Sequence, residues 1–156
     1  MRLIQITQGK CAAIVDNDDY AYLMQWRWCY DGVYAFRNGC EGYTAKRIFM
    51  HRKILERMGF RNFTFSDHVN RNGLDNRRCN LRPATYSQSS WNRGIQKNNT
   101  SGYIGVSRKR RKWRVQINVN GRKRYLGCYD DPKEAAKVYN KAAFKYRGEF
   151  AVLNEV

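Results

Sequence analysis

Between Trp113 and Tyr125 the sequence reads WRVQINVNGRKRY, and its periodicity excludes a helix. Apolar Trp113, Val115, Ile117 and Val119 alternate with Arg114, Gln116 and Asn118, the two-residue period of a strand with one covered face. Asn120-Gly121 follows at once and suits the positive φ of a tight hairpin turn. RKRYLGCY is then the return strand, and Asp131-Pro132 opens a helix with proline in its first turn. Ala135, Ala136, Val138, Tyr139, Ala142 and Ala143 recur at helical spacing, an apolar face to lay on the sheet. Three short strands and one helix predict a small α+β unit over residues 101–156.

The same hairpin concentrates charge. Arg108 to Lys112, Arg114 and Arg122 to Arg124 place nine cations in two adjacent runs, which repel one another unless something anionic neutralises them. The 156-residue chain carries 30 Lys+Arg against 13 Asp+Glu, a net +17, and residues 98–156 hold 14 of the cations and 5 of the acids. Such a field favours nucleic acid or an anionic membrane. No apolar run approaches the roughly 20 residues of a spanning helix, and MRLIQITQGK is too short and polar for a signal peptide. The expectation is a cytoplasmic protein with no membrane partner. Cys11, Cys29, Cys40, Cys79 and Cys128 are odd in number, contain no C-x-x-C and match no zinc spacing. They read as reduced, buried thiols, with no zinc.

Upstream, LIQI and CAAIV around TQGK predict two strands and a turn, and DNDDYAYLMQW a short acid-capped helix. Trp26, Trp28 and Tyr30, then Val33 and Ala35, alternate like a strand pair turned at Asp31-Gly32. From Ile48 the apolar spacing predicts a strand end running into a helix that stops at Gly59. The tryptophans Trp26, Trp28 and Trp91 read as packing residues. ATYSQSSWNR reads as a short helix capped by Thr85. GIQKNNTSG is small and polar, a linker. The division expected is residues 1–93, a linker at 94–100, and 101–156.

The least core-like stretch is SDHVNRNGLDNRRCNLR, residues 66–82. Hydrolysis of a phosphodiester needs a base for water, a metal at the leaving oxygen and ligands for that metal. Adjacent Asp67 and His68 on an extended chain point to opposite sides, so one can hold a hard cation while the other addresses water. Oxygen ligands suit Mg²⁺ or Mn²⁺. Arg77, Arg78, Arg82 and Arg93 are candidates for backbone phosphates. His51 precedes Arg52 at the start of an apolar-faced helix, where a structural or phosphate-contacting role is expected.

FTFSDHVNRNGLDNRRCNLRPATYSQSSWNR, with MHR at 50–52, resembles the HNH nucleases of phage and intron origin. That resemblance implies a ββα-metal hairpin and helix, with the motif core at 50–93. It implies Asp67 as metal ligand, His68 as general base, and Asn80 holding the histidine's loop in register. Ser89 stands where the family's second ligand, Asn or His, is found. Ser89 through water, Asn92 one turn later, or a site that only binds DNA all remain open. SGYIGVSRKRRKWRVQINVNGRKRYLGCYDDPKEAAKVYNKAAFKYRGEFAVLN resembles the DNA-binding domain of plant APETALA/ethylene-response-factor proteins, through Y-x-G-V, K-W, Y-L-G-C-Y, EAA-x-x-Y-x-x-AA and R-G-x-x-A-x-L-N. It implies a sheet laid in the major groove of duplex DNA. Arg108, Lys109, Lys112, Arg114, Gln116, Asn118, Lys123 and Tyr125 would face it. Ile104, Ser107 and Asn118 replace base-reading arginines, so the docking mode carries over but the sequence preference does not.

Together these readings point to a homing-type endonuclease, of a phage or its bacterial host, that nicks duplex DNA with one divalent metal per site. It would be a monomer or homodimer. A DNA-binding protein with a weakened or lost site is the alternative. RNA binding fits less well, because A-form RNA closes off the major groove.

Overall fold

The alternating segment folds as its period requires. The computed structural model describes residues 1–6, 11–41 and 44–156. In it β8 (Val106–Lys109), β9 (Lys112–Val119) and β10 (Arg122–Tyr129) form an antiparallel sheet in the order β10-β9-β8. Asn120 and Gly121 turn the hairpin with φ of 52° and 75°. One bulge shifts the register between Tyr125 and Gly127. Helix α4 (Pro132–Arg147) starts at Asp131, whose carboxylate accepts from the backbone N–H groups of Lys133 and Glu134 and so satisfies two of the donors a helix start leaves unpaired. Its Ala135, Ala136, Tyr139 and Ala143 pack on Val106, Val115 and Ile117 as one core. The fold is α+β, and the described chain divides into two units, Met1–Ser89 and Ser90–Val156, a few residues before the boundary expected at Arg93.

The first unit begins with β1 (Arg2–Ile6) and β2 (Cys11–Val15), an antiparallel pair. The TQGK turn expected between them lies outside the described residues. Helix α1 (Asn17–Leu23) follows, then β3 (Cys29–Tyr30), β4 (Ala35–Glu41) and β5 (Thr44–Phe49) in one sheet. The strand expected from Trp26 begins only at Cys29. Trp28 is instead turned inward, with its indole Nε1 donating to the carbonyl of Leu23 at 2.8 Å. The same carbonyl also accepts from Trp26 N–H, so both tryptophans are tied to the helix end.

Helix α2 (Met50–Arg57) starts directly from β5 and buries Met50, Ile54 and Leu55 in the core with Ile4, Val15 and Leu23. Next come β6 (Phe65–His68), a 3-10 turn over Arg78–Asn80, β7 (Leu81–Ala84) and α3 (Tyr86–Trp91). Strands β6 and β7 pair antiparallel, with Asp67 opposite Arg82 and His68 opposite Leu81. Thr85 and Gln88 cap α3 reciprocally: Thr85 Oγ1 accepts from Gln88 N–H, and Gln88 Oε1 accepts from Thr85 N–H. This is the two-way box of a Thr-x-x-Gln sequence. Cys11, Cys29 and Cys128 are half-buried thiols. Cys79 is exposed, against the expectation that all five are buried, because the 3-10 turn presents it outward. The side chain of Cys40 lies outside the described residues.

One buried carboxylate ties these pieces together. Asp19 on α1 is fully buried and accepts from Arg78 Nε at 2.7 Å, Arg78 Nη2 at 2.9 Å and Arg57 Nε at 2.8 Å. Burial alone would raise its pKa, but the bonds from Arg78 and Arg57 outweigh that and lower it.

Candidate functional site

The site is a strand end and the loop that leaves it. On β6 the alternation sends Asp67 toward Arg82, while His68 enters a pocket of rings. Both are buried, at 6% and 5% exposure. Arg82 donates from Nε and Nη2 to one oxygen of Asp67, Oδ2, at 2.9 and 2.8 Å.

His68 Nε2 lies 3.3 Å from Asn76 Oδ1. With that oxygen accepting, Nε2 carries the proton and Nδ1 is the basic nitrogen. Burial lowers the pKa of His68, and Asn76, Asp67 and Asp75 only partly oppose this. The imidazole is therefore neutral near pH 7, the form able to take a proton.

The loop from Val69 to Asn76 is held from within. Asn80 donates from Nδ2 to the carbonyl of Asp75 at 2.7 Å and to Asn70 Oδ1 at 2.9 Å, and its own Oδ1 accepts from Asn70 N–H. Its carbonyl accepts from Val69 N–H, and the carbonyl of His68 accepts from Arg71 N–H. Asn80 thus binds the loop residue two positions after the histidine from both sides. Asp75 accepts from Arg77 Nε and Nη2, while Asn70 Nδ2 donates to it. The backbone of Asp75 forms a bridge to Ile14, so the loop is anchored on β2.

M-H-R at 50–52 also acquires separate uses. Met50 lies in the core, and Arg52 donates to the carbonyls of Thr64 and Phe63, the approach to β6. His51 is buried between Phe49, stacked at 5.4 Å, and His68, edge-on at 5.2 Å. Burial, with His68 and Arg52 adding to it and Asp31 opposing, lowers its pKa to about 3.

That depression has a consequence for stability. Unfolded, the imidazole takes up a proton below about pH 6.5, while the folded ring refuses it until about pH 3. Stability from this group is therefore full above about pH 6.5 and falls as the pH drops from there toward 3, by up to about 1.4 kcal/mol per pH unit. Asp19 and Asp75 have carboxyls held below the ordinary value of 3.8, so they act below that. Thermal melting is expected to drop between pH 7 and pH 4.5, and His51→Phe to flatten much of that slope. An unchanged slope would remove His51 as its source.

The arginines divide by partner. Arg78 is occupied by Asp19, Arg77 by Asp75 and Arg82 by Asp67, whereas Arg93 is exposed. Ser89 is half-buried at the end of the first unit, and its backbone N–H donates to Thr85. Asn92 follows α3 and is counted in the second unit. Among the described residues, no three of His, Cys, Asp and Glu gather around a metal-sized space. A cation would rest on Asp67 and neutral oxygens, a donor set that fits a hard ion retaining much of its water and not zinc. The Arg82 guanidinium occupies one oxygen of that carboxylate, Oδ2, so a cation would have to share Asp67 with it or displace it.

In the second unit, cross-strand partners define one sheet face. Arg114 sits between Ser107 and Cys128, Gln116 opposite Tyr125, and Asn118 opposite Lys123. Lys109 and Lys112 continue that face, and Lys112 pairs loosely with Asp130 at 3.2 Å. Arg108 departs from the expected set. It lies opposite Trp113 and two residues from buried Val106, on the helix-covered side, with its guanidinium 4.8 Å from the Trp113 ring. The strand period, read strictly, separates it from Lys109.

Sequence reading missed Tyr34, Asn70, Asp75 and Asn76. The spacing N-x-N-x-x-D-N offered a signal for the last three, since Asn and Asp side chains cap their own loop two residues on.

No family model matches the chain. An uncharacterized HNH endonuclease of Acanthamoeba polyphaga mimivirus is 26% identical over 148 residues, 92% of this chain and 75% of that protein. Protein 3.8 of Escherichia phage T7 is 32% identical over 89 residues, 56% of this chain and 73% of that protein. An AP2-like ethylene-responsive transcription factor of Arabidopsis thaliana is 35% identical over 79 residues, 50% of this chain. The chain spans only 23% of that plant protein's length. These likenesses support a DNA-nuclease or DNA-binding role. Among the described residues, no helix is long and apolar enough to cross a membrane.

Proposed function

We propose that this chain, which belongs to the family of Protein 3.8 of Escherichia phage T7, is a divalent-metal-dependent endonuclease of duplex DNA. The observation that carries the reading is the buried, neutral His68 beside Asp67 on a hairpin whose loop Asn80 braces. His68 Nδ1 takes the proton of water as its oxygen bonds to phosphorus, and the phosphorus–oxygen bond to the neighbouring nucleotide breaks, its oxygen leaving with the electron pair. Nε2–H on Asn76 keeps that nitrogen basic, and Asn80 keeps the histidine's loop from shifting. Asp67 with Ser89 would hold Mg²⁺ or Mn²⁺, which when bound would supply positive charge for the leaving oxygen. The open face of the second unit, with Arg114, Gln116, Asn118, Lys123 and Tyr125, lies along the major groove and positions the chain. One site per chain means nicking unless the protein dimerises.

Supercoiled plasmid is the test: open circles are expected with Mg²⁺ or Mn²⁺ and none with chelator. A binding-only reading is favoured by Arg82 on Asp67 and by the short Ser89 hydroxyl. Tight, salt-sensitive binding without nicking in either metal would establish it and refute the nuclease. Ser89→Asn lengthens the side chain and offers an amide oxygen, so a several-fold faster nicking rate is expected. An unchanged rate means that Ser89 does not limit the site.

A further inference from the structure

The ring of His68 is walled on two sides by aromatic rings that have no assigned task. Tyr34, on the turn between β3 and β4, lies at 5.5 Å with its plane 22° from that of His68. His51 meets the same imidazole edge-on at 5.2 Å and 86°, and Tyr34 and His51 touch each other at 5.0 Å. Each wall is itself backed. Phe49 stacks on His51 at an interplanar angle of 13°. Asp31 accepts from the backbone N–H groups of Val33 and Tyr34, which fixes the turn carrying the tyrosine. From the other side Gly73 presses on Tyr34 so closely that a Cβ there would stand 2.7 Å from the tyrosine Cδ1.

From this geometry we infer that Tyr34 and His51 are positioning residues, an aromatic clamp that fixes the plane of the His68 imidazole. The hydrogen bond to Asn76 engages Nε2, and two rings set 69° apart, one along the face of the imidazole and one at its edge, restrict its rotation and the direction of Nδ1. A base held in one direction spares the reaction the cost of finding it. The clamp's catalytic value rests on the nuclease reading; the clamp itself does not.

The chain has two histidines, so ring carbon relaxation of His68 can be followed in the free protein, without DNA or metal. The wild-type ring is expected to be as ordered as rigid backbone, with an order parameter of about 0.85. Tyr34→Phe keeps the wall and is expected to retain both that order and the nicking rate. Tyr34→Leu and His51→Leu are expected to drop the order parameter below about 0.6. With them kcat falls about 10-fold or more while KM stays put. Melting curves confirm that each variant is folded. An ordered His68 in folded Tyr34→Leu overturns the clamp, as does a disordered one in Tyr34→Phe, whether or not leucine is tolerated. If wild type never nicks DNA while the ordering follows this pattern, the nuclease reading falls and the clamp stands.

Discussion

His68→Ala is expected to lower the plasmid nicking rate by about 10²–10⁴-fold, the usual weight of a positioned general base, while binding to duplex DNA stays within a few-fold. The two readouts separate because the charged sheet face belongs to the second unit and contains no part of the histidine pocket. The substitution also removes a buried polar ring whose partner, Asn76 Oδ1, is left facing an empty space. Some loss of stability is therefore expected, of about 1–3 kcal/mol for the unpaired group and cavity. The comparison is fair only below the melting temperature of the variant. His68→Asn and His68→Gln, polar but without a nitrogen that accepts a proton near neutrality, are expected to be as inactive as alanine. A variant that nicks at more than about a tenth of the wild-type rate, against the effect a general base carries, would remove His68 from the chemistry. The pH profile adds a second check. Burial keeps His68 below its ordinary pKa, so its basic form persists on the acid side, and the rate should decline only below the ordinary histidine range.

Much of this site is written locally. Asp67 and His68 are neighbours on one strand, and the Asn-rich loop with Asn80 lies within a dozen residues of them, so the motif that carries the family resemblance is a local one. The hairpin at Asn120-Gly121 and the Asp131 cap are legible for the same reason, because each interaction closes within a few residues. Asn70, Asp75 and Asn76 were missed although their spacing is local; what carries no local signal is non-local. Tyr34 reaches His68 only because β4 pairs with β5, which delivers Phe49 and His51 beside it. In sequence it is one more aromatic in a run of them. Arg78 stands in a string of basic residues that suggests phosphate contact, yet its carboxylate partner Asp19 is 59 positions away. Charge alone cannot say which arginine faces solvent and which closes a core. Arg108 shows a milder form of the problem, since the run RKRRK hides the strand period that the register reveals.

Asp19→Ala is expected to destabilise the first unit by about 3 kcal/mol, at the low end of what breaking a buried ion pair costs. Asp19 is fully buried, whereas the side chains of Arg78 and Arg57 keep 35% and 34% of their exposure. Solvent therefore softens the loss on the cationic side. The carboxylate joins three elements: α1, which carries it, α2 through Arg57, and the 3-10 turn before β7 through Arg78. Without it two guanidinium groups approach each other with no anion between them. The turn that carries Arg78 also carries Asn80, which braces the loop that shapes the histidine pocket. Asp19→Asn, which retains an accepting oxygen but no charge, is expected to fall between alanine and wild type. Urea unfolding followed by backbone amide exchange resolves the two units. The midpoint for residues in β2 and α2 should shift, while that for β9 and α4 stays. Paired with Arg78→Met, the double variant should lose clearly less than the sum of the singles, because removing both partners leaves fewer stranded charges. Additive losses would mean that Asp19 and Arg78 do not act as a pair, and that the loop around His68 is held by its asparagines alone.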